Sequence, residues 1–319
     1  MPPVSYATDY HAPVLSHTVL KYLVTDMNGL YVDATAGGGG HIAAILSVLS
    51  PKGRVVAVDR DAEATRTVES RFTDALKRKQ LTLFEEKFSN LETLIEEYCP
   101  INGLLLDLGV SSHQLDSASR GFSHRQSAPL DMRMGRNMSF TAADIVNGFS
   151  EEALSDILYS RGEEPRARKI SRAIIAKRPV ETTSALARIV RGAVPTRQES
   201  RAVARTFQAL RISVNEELSE LAQVLESSAR MVAEGGRMVV ISYHSLEDRM
   251  VKRMLRDGVL EGEPKRDLYG NRLVPWKPLT RRPVTPDAAE IAANRRSRSA
   301  KLRAGIRCSF PGSSENEVK

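Results

Sequence analysis

The sequence predicts an α/β fold in which a parallel sheet domain is interrupted by an all-helical insertion. Two observations carry this. The first hundred residues alternate short apolar strand patterns with helical ones, the rhythm of strand-crossover-strand units. Strand patterns then stop after Ser111 and resume only at Arg237. With 319 residues, 41% of them apolar, the chain is long enough for a full core in such a split domain.

In chain order, Leu30 to Ala36, Arg54 to Asp59, Leu81 to Phe88 and Gly103 to Leu108 read as buried strands. Between them, His41 to Leu49 has the helical spacing Ile42, Ile45, Leu46, Leu49, and Ala62 to Leu76 and Leu91 to Tyr98 read similarly. After Ser111 comes a loop rich in Ser, Arg and Met, then helices near Glu151 to Ser160, Ala167 to Lys177 and Ser184 to Arg191. One long helix is expected from about Ala202 to Ala233. Phe207, Leu210, Val214, Leu218, Leu221 and Leu225 form its stripe, and Gly235-Gly236 its cap. The sheet resumes with Arg237 to Ser242, followed by a helix over Ser245 to Arg256 and closing strands over Asn271 to Lys277 and Ala300 to Arg307. The resulting division is a sheet domain over 1–114 and 216–312, a helical insertion over 115–215 and a disordered tail over 313–319.

The first strand runs into Asp33-Ala-Thr-Ala-Gly-Gly-Gly-Gly-His41 and then a helix, so backbone amides and a helix N-terminus can approach a ligand closely. The dinucleotide pattern G-x-G-x-x-G fails, because Ile42 and Ala43 stand where its third glycine belongs, and the P-loop pattern is absent. What fits is Asp33-x-x-x-Gly37-x-Gly39, which resembles the first motif of Rossmann-like methyltransferases. S-adenosylmethionine suits such a turn: a sulfonium cation with an amino-acid end and no phosphate to grip. Asp33 can orient the loop or the cofactor's ammonium group, or simply brace the loop. Asp59 ends the second strand, where an acid accepts hydrogen bonds from ribose hydroxyls. Asp61 reads as the cap of the next helix, with an exchange of roles between the two acids left open. Phe88 can pack on the adenine or belong to the core.

Leu104-Leu-Leu-Asp-Leu-Gly-Val-Ser-Ser-His-Gln114 puts Asp107 at the carboxyl end of a central strand, beside the first strand, where open α/β sheets form their ligand crevice. Amino-group methyltransferases often carry an aromatic tetrapeptide there; this chain has Asp-Leu-Gly-Val. The target atom is not readable from that motif alone.

At this point the chain resembles the RsmH (MraW) family, the ribosomal RNA small subunit methyltransferase H enzymes, over nearly its whole length. The resemblance rests on ordered blocks: His11 to Leu15, Gly39 to His41, Leu106 to Ser112, Gly121 to Ser123, Pro129 to Met134, Gly162 to Glu164, Arg205 to Ile212 and Ser245 to Arg249. It implies transfer of a methyl group from S-adenosylmethionine to the exocyclic N4 of a cytidine in the decoding region, the P site, of 16S ribosomal RNA. The sheet domain over 1–114 and 216–312 is then the methyltransferase domain, and the helical insertion over 115–215 the candidate RNA-recognition domain. Carried onto this sequence, the family's cofactor contacts fall on Gly39, Gly40, His41, Asp59, Phe88, Asp107 and Gln114, and Asp107 is the candidate acceptor of the amine proton. Tyr243 departs from the family's usual phenylalanine, His113 from a common proline, and Asn294-Arg-Arg-Ser-Arg from an Asn-Pro-Arg-Ala-Arg-like run. Other readings are a methyltransferase of this fold acting on DNA or a metabolite, and an RNA-binding assembly factor with a vestigial pocket.

Charge agrees with a polyanionic partner. Residues 115–215 hold 17 Lys or Arg against 10 Asp or Glu, residues 264–307 hold 12 against 3, and the remainder 17 against 26. A basic insert and a basic tail on an acidic body suit phosphate-backbone binding, although solvated helix faces give the same count. Arg120, Arg125, Arg133 and Arg136 lie near enough to Asp107 in sequence to hold phosphates around a target. Arg205 and Arg211 can instead pair with acids such as Glu163 or Glu164. Met132 and Met134 read as gap-filling core. His244 can contact a nucleotide, assist proton removal or cap a helix. Cys99 and Cys308 fit neither a disulfide framework nor a zinc site, so no metal is expected. Without a leader pattern or a membrane-length apolar run, the expectation is a soluble cytoplasmic protein with no membrane partner. The 16S RNA partner is expected within a small subunit or its assembly intermediate, and a homodimer is left open.

Overall fold

The computed structural model of the protein describes residues 13–309, less positions 125, 136, 137, 265 and 271. The tail over 313–319 and the expected strand start at Asn271 lie outside the described residues. The chain divides into two compact units, one of Met1–Gly109 with Ser219–Lys319 and one of Val110–Leu218.

The first unit is built on seven strands: β1 (Leu30–Asp33), β2 (Arg54–Asp59), β3 (Leu81–Glu85), β4 (Ile101–Asp107), β5 (Val232–Ser242), β6 (Trp276–Pro278) and β7 (Lys301–Arg307). Their order is β3-β2-β1-β4-β5-β7-β6. The first five run parallel, and β7 is antiparallel to both neighbours. Apolar runs such as Val55-Val-Ala-Val58 are what a doubly covered sheet requires, because alternate residues serve opposite cores. Val32, Val56, Val58, Leu104, Leu106 and Val240 pack in one core, and Tyr31, Val55, Ala57, Leu105, Val239 and Ile241 in the other.

Helices α1 (Ser16–Leu23), α2 (Gly40–Val48), α3 (Ala62–Arg71) and α4 (Thr73–Lys77) line the second of these cores. The first is covered by α5 (Leu91–Leu94), α12 (Glu217–Met231) and α13 (Ser245–Asp257). A short α14 spans Ala288–Ala293. Among the described residues no helix is long and apolar enough to cross a membrane.

The second unit is helical: α6 (Ser112–Asp116), α7 (Ala142–Gly148), α8 (Glu151–Ser160), α9 (Ala167–Ile175), α10 (Thr183–Ala193) and α11 (Glu199–Asn215). Hydroxyl caps at Ser111, Thr141, Ser150 and Thr182 start four of these helices. Met132 and Met134 are buried in its core.

Several expected elements differ, and three of the differences have a clear cause in packing or backbone geometry. The long helix is two, broken at Glu216, whose φ of 53° is left-handed. The apolar stripe runs on through the break because its halves serve different cores. Phe207, Leu210 and Val214 pack in the helical unit, whereas Leu221 and Leu225 pack beneath the sheet. Gly235-Gly236 do not cap a helix; they lie inside β5, at an irregularity where a two-residue step on β4, Ile101 to Gly103, faces a five-residue step from Val232 to Arg237. Gly235 has φ 78° there, and a Cβ on Gly236 would meet the Asn102 carbonyl at 2.9 Å. The helix expected over Ala62 to Leu76 is interrupted at Phe72, which leaves helical geometry at φ −117°, ψ 28°.

Candidate active site

Sheet order reverses between β1 and β4, the place where open α/β sheets bind ligands. Asp33, Asp59 and Asp107 are the last residues of β1, β2 and β4. The glycine turn straddles this point, since Ala34 N–H donates to the Leu105 carbonyl of β4 and Ala36 N–H to the Val58 carbonyl of β2. Gly37 and Gly39 have φ of 50° and 78°, the left-handed region that glycine enters without penalty. A Cβ on Gly39 would also come within 2.5 Å of the Phe72 ring. Gly39 precedes α2, and Gly40 and His41 form its first turn.

Two carboxylates shape the turn. Asp59 accepts the Gly37 N–H on Oδ2 and the Asp61 N–H on Oδ1, both at 2.8 Å, so it fastens the turn to β2. Asp61 caps α3. Asp33 is fully buried; its Oδ1 accepts the Thr35 N–H at 3.1 Å and the Thr35 hydroxyl at 3.4 Å, while its Oδ2 has no hydrogen-bond partner among the described residues. The Thr35 oxygen in turn accepts the Asp107 N–H at 2.7 Å. Burial pushes both carboxyls up to about 6, against the hydrogen bonds they receive; for Asp33 the His41 charge also opposes the rise.

Asp107 is held on three sides. Beside the Thr35 contact, the Tyr243 hydroxyl donates to its Oδ1 at 3.0 Å, and His41 Nε2 lies 3.4 Å from its Oδ2. Burial disfavours the charged imidazole, but the neighbouring carboxylates Asp107 and Asp33 more than offset it and raise the His41 pKa. Tyr243 is pushed well above the usual phenol value, first by burial and then by the Asp107 charge, so it stays a donor. Its backbone N–H donates to Glu247 at 2.8 Å, fixing it at the start of α13.

Phe88 is half-buried, in a single 3₁₀ turn (Phe88–Asn90) just beyond the end of β3. The loops carrying Asp59 and Phe88 are joined by the buried Glu220 of α12, whose carboxylate lies 3.1 Å from Arg60 and 3.5 Å from Lys87. The sheet unit therefore brings together Gly39, Gly40, His41, Asp59, Asp107 and the previously unmarked Thr35, Tyr243 hydroxyl and Glu220. Gln114 belongs to the helical unit, where it completes the capping box of α6 with Ser111.

Several candidate RNA contacts are already engaged. Arg120 is buried and donates to the Arg133 and Met134 carbonyls, and Arg133 pairs with Asp131 at 2.8 Å. Both arginines are bonded within their own loop; Arg125 and Arg136 lie outside the described residues. Arg205 lies 3.7 Å from Glu164, and Arg211 grips Glu217 through two hydrogen bonds. His244 caps α13, its Nδ1 accepting the Glu247 N–H and its Nε2 lying 3.1 Å from the Glu247 carboxylate.

Known proteins resemble this chain in sequence. A family model described as the MraW methylase family matches residues 8–307. The chain belongs to that family. Ribosomal RNA small subunit methyltransferase H of Acidobacterium capsulatum is 45% identical over 302 residues, covering 92% of this chain and 97% of that protein. The protein of the same name from Amoebophilus asiaticus is 43% identical over 304 residues, covering 94% and 97%, and that from Cyanothece sp. 46% over 294, covering 92% and 93%. As a methylase with a Rossmann-like sheet, the chain uses S-adenosylmethionine. The residues suit a cation with no phosphate: residues 33–49 contain no Lys or Arg, and a buried carboxylate oxygen of Asp33 has no hydrogen-bond partner among the described residues.

Proposed function

We propose that this methyltransferase methylates the exocyclic N4 of a cytidine in the P-site decoding region of 16S ribosomal RNA. The observation that carries the chemistry is Asp107, held by Tyr243, His41 and Thr35 at the switch point between β1 and β4. Family membership and the names of its relatives support the RNA substrate. When bound, S-adenosylmethionine supplies an electrophilic methyl group. Gly39, Gly40, His41, Asp59, Phe88, Asp107 and Gln114 are assigned to its site, with Asp59 accepting from the ribose hydroxyls and Phe88 flanking the base. Asp33 orients the glycine turn or the cofactor's ammonium group.

In the transfer, a C–N bond forms at N4 as the S–CH₃ bond breaks, and N4 must shed one proton. The cytosine amine is weakly basic because its lone pair is delocalised, so orientation and desolvation do most of the work. Asp107 orients the amine and accepts its proton. A paired cytosine hides this edge, so the target is unpaired or flipped.

The test is transfer of tritiated methyl from the cofactor to 16S RNA, small subunits and DNA, with mass mapping of 16S RNA from cells lacking the protein. One methyl on N4 of a decoding-region cytidine is expected to disappear. Transfer to DNA alone favours the DNA reading, and absence of cofactor binding by calorimetry revives the assembly factor.

A pH experiment checks the carboxylate roles. Asp33 and Asp59 titrate near 6 in the folded chain and near about 3.9 when unfolded. Between those values the folded chain holds protons that the unfolded chain has released. Their contribution to stability therefore falls as pH rises from about 4 to about 6 and is least favourable above that window. Cofactor binding has the opposite dependence, since it needs the anions. Affinity measured by calorimetry is expected to fall roughly tenfold per pH unit below about 6 for each carboxylate that must ionise. The unliganded protein should lose no melting temperature from these two groups over that range. Flat affinity from pH 7.5 to pH 5 would remove both from the site.

A further inference from the structure

The positive charge of the helical insertion is concentrated in one place. Between positions 165 and 198 there are nine Lys or Arg and a single acid, Glu181. The rest of residues 115–215 holds eight Lys or Arg against nine acids, so this 34-residue stretch accounts for the whole excess. It comprises α9, α10 and the turn after them, and neither helix contains an Asp or Glu.

Both helices bury one face in the unit's core, through Ile170 and Ile174 on α9 and Leu186 and Val190 on α10. Their cations therefore occupy the opposite faces. Arg168 and Lys169 on α9 and Arg188 and Arg191 on α10 are exposed, as are Lys177 and Arg197 in the flanking turns. Arg188 and Arg191 stand three residues apart, on one face. None of these six has an acidic or carbonyl partner among the described residues. Of the remaining cations, Arg178 is committed to the Val146 and Phe149 carbonyls and Arg172 lies 3.3 Å from Glu151 of α8. An ordinary solvated surface intersperses both signs. Here the signs are sorted: α8 carries Glu151, Glu152 and Asp156 and no cation, and α9 and α10 carry only cations.

We propose that the solvent faces of α9 and α10 form a docking surface for the phosphate backbone of structured ribosomal RNA. The inference rests on the RNA reading above and adds the place where the backbone is held. Guanidinium forks suit phosphate oxygens, and unpaired cations release counterions on binding without first breaking internal ion pairs. The Met-rich loop is displaced from this role, because Arg120 and Arg133 are internally bonded. The sorted charge also gives the unit an electrical polarity that orients an approaching RNA before contact.

The test is the full-length variant Arg168→Ala, Lys169→Ala, Arg188→Ala, Arg191→Ala, titrated with a 16S decoding-region RNA from about 0.05 to about 0.2 M salt. Four lost phosphate contacts should lower the slope of log affinity against log salt by about 3. The RNA KM in methyl transfer should rise at least tenfold, with kcat at saturating RNA, cofactor affinity and melting temperature unchanged. An unaltered salt slope and KM would overturn the proposal while leaving the methyltransferase reading intact. So would a slope lost only on neutralising Lys277, Arg281, Arg282 and Arg295 in the C-terminal basic stretch. Failure of the unaltered protein to bind the RNA would overturn both.

Discussion

Asp107→Asn is expected to lower methyl transfer to saturating RNA by roughly a hundredfold or more, within the range of losing a positioned proton acceptor. The substitution preserves volume, so the loss reflects chemistry and orientation. A carboxylate accepts from the Tyr243 hydroxyl on one oxygen and faces His41 Nε2 with the other. A carboxamide has one acceptor and one donor group, so it cannot satisfy two donors. Either the Tyr243 hydroxyl or the His41 imidazole loses its partner, and the amide is held in a compromise rotamer. Removing the Asp107 charge also removes a main cause of the raised His41 pKa, so NMR titration should show that pKa falling. Cofactor affinity measured by calorimetry should drop by less than the turnover. If turnover and cofactor affinity both survive, Asp107 neither accepts the proton nor orients the amine.

Sheet strands were legible in the sequence because burial on both faces leaves an uninterrupted apolar run, as in Val55 to Val58. The glycine turn was legible for a different reason: two of its residues need left-handed backbone and one has no room for a Cβ. Strand ends were less so. β3 stops at Glu85, and Phe88, expected inside that strand, opens a 3₁₀ turn. Periodicity also could not see which core a stripe serves, which is how two helices meeting at Glu216 read as one. Polar partnerships over long separations leave no local pattern. Glu220 is 160 residues from Arg60, and nothing near either residue announces the pair. Arg120 and Arg133 show the converse failure, in which a cluster of cations invites a phosphate reading until backbone carbonyls are found to occupy them. Tyr243 was visible as a departure from the family's usual residue, yet only the fold puts its hydroxyl on Asp107.

Asp59→Ala is expected to weaken cofactor binding roughly a thousandfold, as follows if two charge-assisted hydrogen bonds to the ribose are each worth about 1.5–3 kcal/mol. The same carboxylate holds the Gly37 and Asp61 amides, so the variant also frees the turn from β2. These two losses separate experimentally. Asn at this position restores an acceptor for only one of the two amides and turns an N–H toward the other, so Asp59→Asn should rescue little affinity. Stability should respond differently from affinity. Burial holds the Asp59 carboxyl near 6, meaning that at neutral pH the fold keeps an anion it disfavours. Neutralising that anion offsets part of the cost of the lost amide bonds, and the melting temperature of the unliganded protein should fall by only a few degrees. A large affinity loss with little loss of melting temperature is the signature of an acid retained for its ligand. Equal collapse of both would make Asp59 a loop brace alone, and would move ribose recognition elsewhere in the turn.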